Sequence, residues 1–284
     1  SDLCPMAYGL QGVSRYTHMP SLLEMLGVPY VGSSPAGHGI ALDKVTTKVM
    51  VQAAGLPTSP YWVFYDAKQI PDDLPYPVIT KPKMEAVSLG IEVVHNKADL
   101  EILIAKLVEE FHQPILVEQF IPGREFAIGL LGNKDPEVFP LLEIDLAGDP
   151  NAIQSLEDKL KKPKEKICPA NIDENLAKEL RRLTKETAKV LGIYDFCRVD
   201  YRLDNDGNLY ILELNSMASL GMTGSYVHAA QVAGYTFETM VNRMLDVAVE
   251  RYFGSQQMDQ VAVEESDQKA KKDPLRIRLR SYLR

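Results

Sequence analysis

Cys197-Arg198-Val199-Asp200-Tyr201-Arg202-Leu203-Asp204-Asn205-Asp206-Gly207-Asn208-Leu209-Tyr210-Ile211-Leu212-Glu213-Leu214-Asn215 is the stretch whose reading decides the fold. Two apolar runs flank Asp206-Gly207. That pair favours a two-residue hairpin turn, because the turn needs φ > 0 at its centre. A two-residue turn places Asp200 opposite Glu213 and Arg198 opposite Asn215. Side chains alternate along a strand, so all four emerge on one face. Opposed carboxylates repel unless something positive stands between them. A hard cation such as Mg2+, taking carboxylate and amide oxygens, is one such bridge. A solvated surface hairpin steadied by Arg198 is the other reading. An EF-hand is excluded: with Gly207 at the sixth loop position, the first ligand would be Arg202, which has no acceptor.

Working outward, three further stretches carry chemistry. Leu116-Val117-Glu118-Gln119-Phe120-Ile121-Pro122-Gly123-Arg124-Glu125 reads as a strand that exits into a turn. Backbone donors and acceptors beside a carboxylate suit a nucleotide base and ribose, or form an ordinary hairpin with an exposed Glu. Ile79-Thr80-Lys81-Pro82, followed by Lys83-Met84-Glu85-Ala86-Val87-Ser88-Leu89-Gly90, sets a lysine at a strand end before a small-residue loop. Such a lysine meets a phosphate or simply points to water. Lys44 and Lys48 lie one helical turn apart, which is a phosphate contact or a wet helix face.

The pattern of elements predicts α+β architecture rather than regular βαβ alternation. Helices are expected over Pro20–Gly27, Ala41–Ala54, Lys97–Phe111, Asp173–Leu191 and Phe237–Phe253. Strands are expected at Val28–Gly32, Pro77–Lys81, Ile91–His95, Ile115–Phe120, Glu125–Leu131, Val138–Ile144, Phe196–Leu203 and Leu209–Asn215. Ser33–Gly39, Pro57–Pro77 and Ser216–Ser225 read as connections, and Ala147–Pro169 as a long polar surface loop. No G-x-G-x-x-G follows a strand and no G-x-x-x-x-G-K-[ST] is present, so neither a Rossmann site nor a P-loop is supported.

The chain has 284 residues, 45% hydrophobic and 25% charged, with formal net charge −8. This is globular composition of a length suited to two domains of about 100–200 residues each. The acidic balance disfavours nucleic acid as a partner. No stretch approaches the roughly 20 apolar residues of a membrane span. Ser1–Tyr8 shows no signal-peptide pattern, and Cys4, Cys168 and Cys197 are too scattered for a disulfide framework or a CxxC site. The expected compartment is reducing cytoplasm.

Taken in order and spacing, these motifs resemble the ATP-grasp superfamily, and within it the D-alanine–D-alanine ligase group. The resemblance runs from about Tyr8 to about Phe253. It includes Pro29-Tyr30-Val31-Gly32-Ser33, Leu42-Asp43-Lys44 with Lys48, Gly55-Leu56-Pro57, Lys81-Pro82 and Val117-Glu118 with Gly123-Arg124-Glu125. It continues through Cys168-Pro169-Ala170, Arg198-x-Asp200, Glu213-x-Asn215 and Gly221-Met222-Thr223. The resemblance implies two α+β subdomains whose antiparallel sheets clamp ATP, preceded by a remnant of an α/β N-terminal domain. The implied division is 1–40 for that remnant, 41–122 and 123–254 for the small and large subdomains, and 255–284 for a linker and basic tail, or the start of a further domain.

The resemblance also implies site residues. Lys44 and Lys81 would bind phosphates, with Ser88 in the loop Pro82–Gly90 that covers them. Glu118 and the backbone near Phe120 and Ile121 would face adenine, and Glu125 would hold the ribose hydroxyls. Asp200, Glu213 and Asn215 would ligate two Mg2+ ions, with Mn2+ as a substitute. Arg198 and the Gly221 N–H would steady an oxyanion, and Ala147–Pro169 would be a lid. The implied activity is ATP-dependent joining of a carboxylate to an amine through an acyl phosphate, with amino acids or short peptides as substrates and a homodimer as the assembly. Alternatives within the fold are a non-catalytic ATP-binding module and an acyl-phosphate-forming kinase.

Five departures concern the amino-acid side of the site. The chain begins in what reads as the last part of the usual first domain. Leu10–Arg15 lacks the acid expected there, and Val87-Ser88 stands where a serine pair is usual. Glu157-Asp158-Lys159-Leu160 ends in leucine where a tyrosine is usual. Ser216-Met217-Ala218-Ser219-Leu220 is two residues longer than the usual approach to the glycine. These changes predict substrates other than two D-alanines.

Overall fold

The computed structural model describes residues 9, 12–86, 88–153 and 164–254. Val87, residues 154–163 of the expected lid with Leu160 among them, and the basic tail therefore lie outside the described residues. Helix α1 (His18–Met25) is close to the expected first helix. The next expected helix divides in two, α2 (Pro35–Leu42) and α3 (Lys44–Ala53). The break is at Asp43, whose extended backbone (ψ 96°) lets its side chain cap α3 through the Thr46 N–H. Part of the expected 33–39 connection is thus helical: Ser34 caps α2, and Pro35 fills its first turn. The expected strand at 28–32 is no more than a bridge residue at Tyr30.

A small antiparallel sheet follows, built from β1 (Tyr61–Phe64), β2 (Val78–Pro82), β3 (Glu92–Val94) and β4 (Ile115–Gln119) in the order β1-β4-β2-β3. Strand β1 falls in the proline-rich stretch read as connective, because its four residues give too short a run for a periodicity signal. Helix α4 (Lys97–Phe111), capped by Asn96, lays Leu100, Leu103, Ile104 and Leu107 on one face of this sheet. The opposite face turns Ile79, Lys81 and Glu118 toward a cleft.

The larger sheet contains β5 (Arg124–Leu131), β6 (Glu137–Val138), β7 (Leu142–Ile144), β8 (Lys166–Ile167), β9 (Phe196–Leu203) and β10 (Leu209–Asn215). Its order is β10-β9-β5-β7-β8, with β6 also on β5. Helix α5 (Glu174–Val190), capped by Asp173, packs Ala177, Leu180 and Leu183 against Ile128, Val199 and Tyr201 on one face. Helices α6 (Ser225–Val232) and α7 (Phe237–Phe253) cover part of the other face, around Phe139, Leu142 and Phe196. Gly129 allows this: a Cβ there would lie 2.8 Å from the Phe139 ring and 3.1 Å from the Tyr226 ring. The uncovered part of that face looks across at the small sheet.

The β9–β10 hairpin brings Asp200 opposite Glu213 and Arg198 opposite Asn215, but not through a two-residue turn. Asp204 instead organises a five-residue loop: its carboxylate accepts the N–H groups of Asp206 (2.9 Å) and Asn208 (2.8 Å), and Gly207 takes φ +86°. This loop leaves Leu209 opposite Leu203, and a bulge between Ile211 and Glu213 then adds one residue. The bulge is required by burial. Leu209, Ile211 and Leu214 all enter the α5-side core, so the alternation must change phase once between 211 and 214.

One buried carboxylate ties the chain segments together. Asp195 accepts the Gly32 N–H at 2.8 Å and Asn133 Nδ2 at 2.9 Å, and takes Arg251 Nε and Nη2 at 2.9 and 2.8 Å. Arg251 also donates to the Tyr30 and Gly32 carbonyls. Truncating one member of a buried pair strands the other charge, so Asp195→Ala should cost about 3–5 kcal/mol. Denaturant unfolding measures this, and a loss under about 1 kcal/mol, the range of exposed pairs, would show that the network is dispensable.

Candidate active site

Between the two sheets lies a cleft of about 370 Å3. Lys81, Ser88, Glu118, Phe120, Ile121, Glu125, Arg198, Asp200, Glu213, Asn215 and Gly221 all line it. Lys44 lines an adjoining recess of about 50 Å3, with Lys81, Ser88, Glu213 and Asn215 on the boundary of both. The residues expected to act together from sequence thus converge on one place, although they come from both sheets and the intervening loops.

At the small-sheet wall Glu118 is buried with both oxygens on lysines. Lys48 Nζ lies 2.7 Å from Oε1 and Lys81 Nζ 2.6 Å from Oε2. Register explains the pairing with Lys81: β2 and β4 are neighbours, and Glu118 sits opposite Ile79, two residues from Lys81 on the same face. Burial opposes the Glu118 charge, but the two lysines outweigh it and hold its pKa below the usual carboxylate range. Burial likewise opposes the Lys81 ammonium, and Glu118 reverses that into a net upward shift. For Lys48 burial prevails and the pKa falls. Lys48 Nζ also donates to Thr58 Oγ1 (2.6 Å) and Ser59 Oγ (3.0 Å). Thr58 Oγ1 then donates to the Ile211 carbonyl at 3.1 Å, beside the β10 bulge. A chain of buried polar contacts therefore runs from one sheet to the other.

At the large-sheet wall Arg198 grips Asp200 with two parallel bonds, Nε to Oδ1 at 2.7 Å and Nη2 to Oδ2 at 2.8 Å. Burial disfavours the guanidinium charge, but Asp200 overrides it and drives the pKa upward. Asn215 Nδ2 bridges the two carboxylates, 3.0 Å from Asp200 and 3.4 Å from Glu213. Among the described residues no cluster of three His, Cys, Asp or Glu side chains gathers, so any cation here would rest on two carboxylates and an amide. That donor set fits Mg2+, which takes a few oxygen ligands from protein and the rest from phosphate and water. Ligation by Asn215 Oδ1 requires the amide to turn about χ2, and the cation would then replace the bridging role of Nδ2. Lys44, whose Nζ donates to the Glu85 carbonyl, is lowered by burial and partly restored by Glu213. Gly221 N–H donates to Ser219 Oγ at 3.2 Å.

Comparison with known proteins shows the family to which this fold belongs. The family profile described as "D-ala D-ala ligase C-terminus" matches residues 50–246. A D-alanine–D-alanine ligase of Carboxydothermus hydrogenoformans is 33% identical over 240 residues, covering 81% of this chain and 76% of that protein. The chain belongs to the D-alanine–D-alanine ligase family. It is an ATP-dependent ligase that forms C–N bonds. An uncharacterized protein of Sinorhizobium fredii, y4sG, is 41% identical over 254 residues, covering 88% of this chain and 75% of its own length. The crystal structure of D-alanine–D-alanine ligase from Bacillus anthracis complexed with ATP shares the fold, with a TM-score of 0.70 at 19% identity over 82% of this chain and 74% of that one.

The ligase cleft contains residues that sequence reasoning passed over. Behind the cleft wall, Lys48 is neither of the two readings offered for it, a phosphate contact or a wet helix face, but the buried partner of Glu118. It is buried beside Thr47 and Val51, so the apolar stripe of α3 carried the signal. Within the cleft Arg202 is one of those passed over, on the same strand face as Arg198 and Asp200 and buried at 3% exposure. Lys166 lines the cleft and donates to the Thr223 carbonyl; burial and then Arg198 lower its pKa. Arg15, where an acid was expected nearby, pairs with Glu85 of the loop after β2 at 2.9 Å.

Removing the Glu118 charge tests the wall. Glu118→Gln leaves two buried ammonium groups facing each other and should cost about 3–5 kcal/mol at pH 7. Without Glu118 the pKa of Lys48, already lowered by burial, falls further, and Lys81 loses the partner that raises it, so burial brings both below the unfolded-chain value. The unfolded state then binds more protons in that interval, so stability rises with pH. The deficit should therefore be smaller at pH 9.5 than at pH 7 in urea unfolding, and a deficit independent of pH would contradict the arrangement.

Proposed function

We propose that this ligase joins the carboxylate of one amino acid or short peptide to the amine of another through an acyl phosphate. The observation that carries the reading is the constellation of Arg198, Asp200, Glu213 and Asn215 on one sheet face, across a cleft from Lys81. A carboxylate resists amine attack because its leaving group is oxide. When its oxygen attacks the γ-phosphorus of ATP, the bond to ADP breaks and the carboxylate becomes an acyl phosphate with a good leaving group. The amine nitrogen then attacks the carbonyl carbon, loses a proton, and the C–O bond to phosphate breaks.

Each residue has a place in this reading. Lys44 and Lys81 offset phosphate charge, Phe120 and Ile121 flank the base, and Glu125 accepts the ribose hydroxyls. Lys81 would exchange part of its contact with Glu118 for phosphate oxygens, while Lys48 keeps that carboxylate paired. Asp200, Glu213 and Asn215 would hold Mg2+, one ion or two, which supplies charge neutralisation to the phosphates. Arg198, already oriented by Asp200, and the Gly221 N–H stabilise the oxyanion that develops at the carbonyl.

The substrates are proposed to differ from two D-alanines. Tyr16, Leu42, Met84 and Met217 make an apolar cluster at the Lys44 end of the cleft, and the charged pair beside it is Arg15 with Glu85. A larger or N-blocked acyl donor suits that environment better than a small free ammonium, whose burial without partners is costly.

Two measurements test the reading. Glu213→Gln should fold normally and lose at least about 10²-fold in ATP turnover, as removal of one preorganised electrostatic contact commonly does. Near-normal turnover would remove Glu213 from the metal site. Phosphate release should be greater with some L-amino acids or dipeptides than with D-alanine; D-alanine as the preferred substrate on such a panel would overturn the substrate proposal.

A further inference from the structure

Arg202 is a guanidinium on an inner strand of the large sheet, and its cost needs a return. Replacing a buried ion pair with apolar groups is often neutral or stabilising, so packing alone does not call for one. Its contacts are specific. Nη2 lies 3.0 Å from Glu125 Oε2 and donates to the Ala152 carbonyl at 2.6 Å. Nη1 donates to the Gly123 carbonyl at 3.0 Å and reaches the Pro150 carbonyl at 3.4 Å. The guanidinium carbon stands 5.6 Å from the centre of the Phe120 ring. Gly123 N–H donates to the same Pro150 carbonyl at 2.9 Å. One planar fork therefore holds the turn between β4 and β5, the backbone of residues 150–152, and a carboxylate of the cleft wall. A lysine could not make these contacts together, because it offers a single nitrogen.

The cross-strand register puts this fork in place: β5 pairs with β9 so that Glu125 lies directly opposite Arg202. Phe120 and Glu125 are among the groups that flank base and sugar in the reading above. We propose that Arg202 is a positioning residue for the nucleotide, orienting the Glu125 carboxylate toward the ribose hydroxyls and fastening residues 150–152 over the same spot. This rests on the assignment of Glu125 to the ribose. Burial works against the Arg202 charge, and Glu125 and the three carbonyls are what keep it in place.

The test compares ATP with 2′-deoxy-ATP and 3′-deoxy-ATP as substrates of the full chain, in the wild type and the variants Glu125→Gln, Arg202→Met, Arg202→Lys and the double variant Glu125→Gln/Arg202→Met. Selectivity is the ratio of kcat/KM values. Glu125→Gln reads the underlying assignment and should lower the preference for ATP over the deoxy nucleotides at least about 10-fold, the factor for one hydrogen bond to a charged group. Arg202→Met should lower the preference by a comparable factor and raise KM for ATP, while kcat changes less. Arg202→Lys should recover little of the selectivity, since charge without the fork does not fix the carboxylate. The double variant carries neither charge and so leaves no lone buried ion. It should be no less selective than Glu125→Gln alone, which keeps the test decisive if Arg202→Met fails to fold.

If Glu125→Gln leaves selectivity unchanged, the ribose assignment fails and takes the proposal with it. If Glu125→Gln lowers selectivity but Arg202→Met keeps the wild-type ratio, whatever its melting temperature, Arg202 merely tethers backbone and the proposal alone is overturned. A double variant in which the two losses multiply also overturns it, because independent effects would then account for the data.

Discussion

A carboxylate with no water to face must have cations, and Glu118 takes two. That requirement fixes much of the molecule. Lys48 comes from a helix that packs on the large sheet, Lys81 from a strand of the small one, and Glu118 from its neighbour. Through Thr58 the same lysine reaches the backbone of β10. The lysine-bearing wall and the acidic wall are therefore linked by hydrogen bonds that cannot slide without leaving a buried charge unpaired, an error of several kcal/mol. Apolar contact between the sheets would tolerate small shifts; this chain of polar contacts does not.

The acidic wall uses the complementary device. Asp200 and Glu213 face each other, and Arg198 and Asn215 absorb the repulsion. Cationic and amide groups thus hold both halves of the cleft in shape before substrate arrives. Preorganised charge of this kind stabilises a transition state without reorganisation at the moment of reaction. The two walls also differ usefully: in the proposed reading one would offer cations to phosphate oxygens, and the other anions to a metal. On that reading, polyphosphate and its cation would lie between them with the charges alternating.

Much of this was readable from the residues. Long periodic elements such as α4 and α5 announced themselves, and the motifs around Lys81, Glu118 and Glu213 kept their order and spacing. What escaped depended on tertiary contact. The β1 strand is four residues in proline-rich surroundings, and only its pairing with β4 makes it a strand. The break at Asp43 needed the knowledge that an aspartate can end one helix and begin the next. The Asp200–Glu213 pairing was correct although its stated cause was not: the turn is longer than two residues, and a bulge compensates. The mixed phase of Leu209, Ile211 and Leu214 held that information, since no single alternation buries all three. Arg202 shares a face with Arg198 and Asp200 by simple parity, yet its partners at 150–152 come from a polar segment whose path no local pattern fixes.

The bulge at Leu212 separates two properties that a regular hairpin would lock together. In a regular ladder the length of the turn dictates which residues oppose each other along both strands, so one insertion at the tip would turn Glu213 away from Asp200. Here the Asp204 loop sets the pairing near the tip, and the extra residue resets it before the functional positions begin. The tip and the end that carries Glu213 and Asn215 are thus separate registers joined by a coupling that absorbs one residue. The exposed loop is a place where this chain could change length by one residue without disturbing the side chains beneath it.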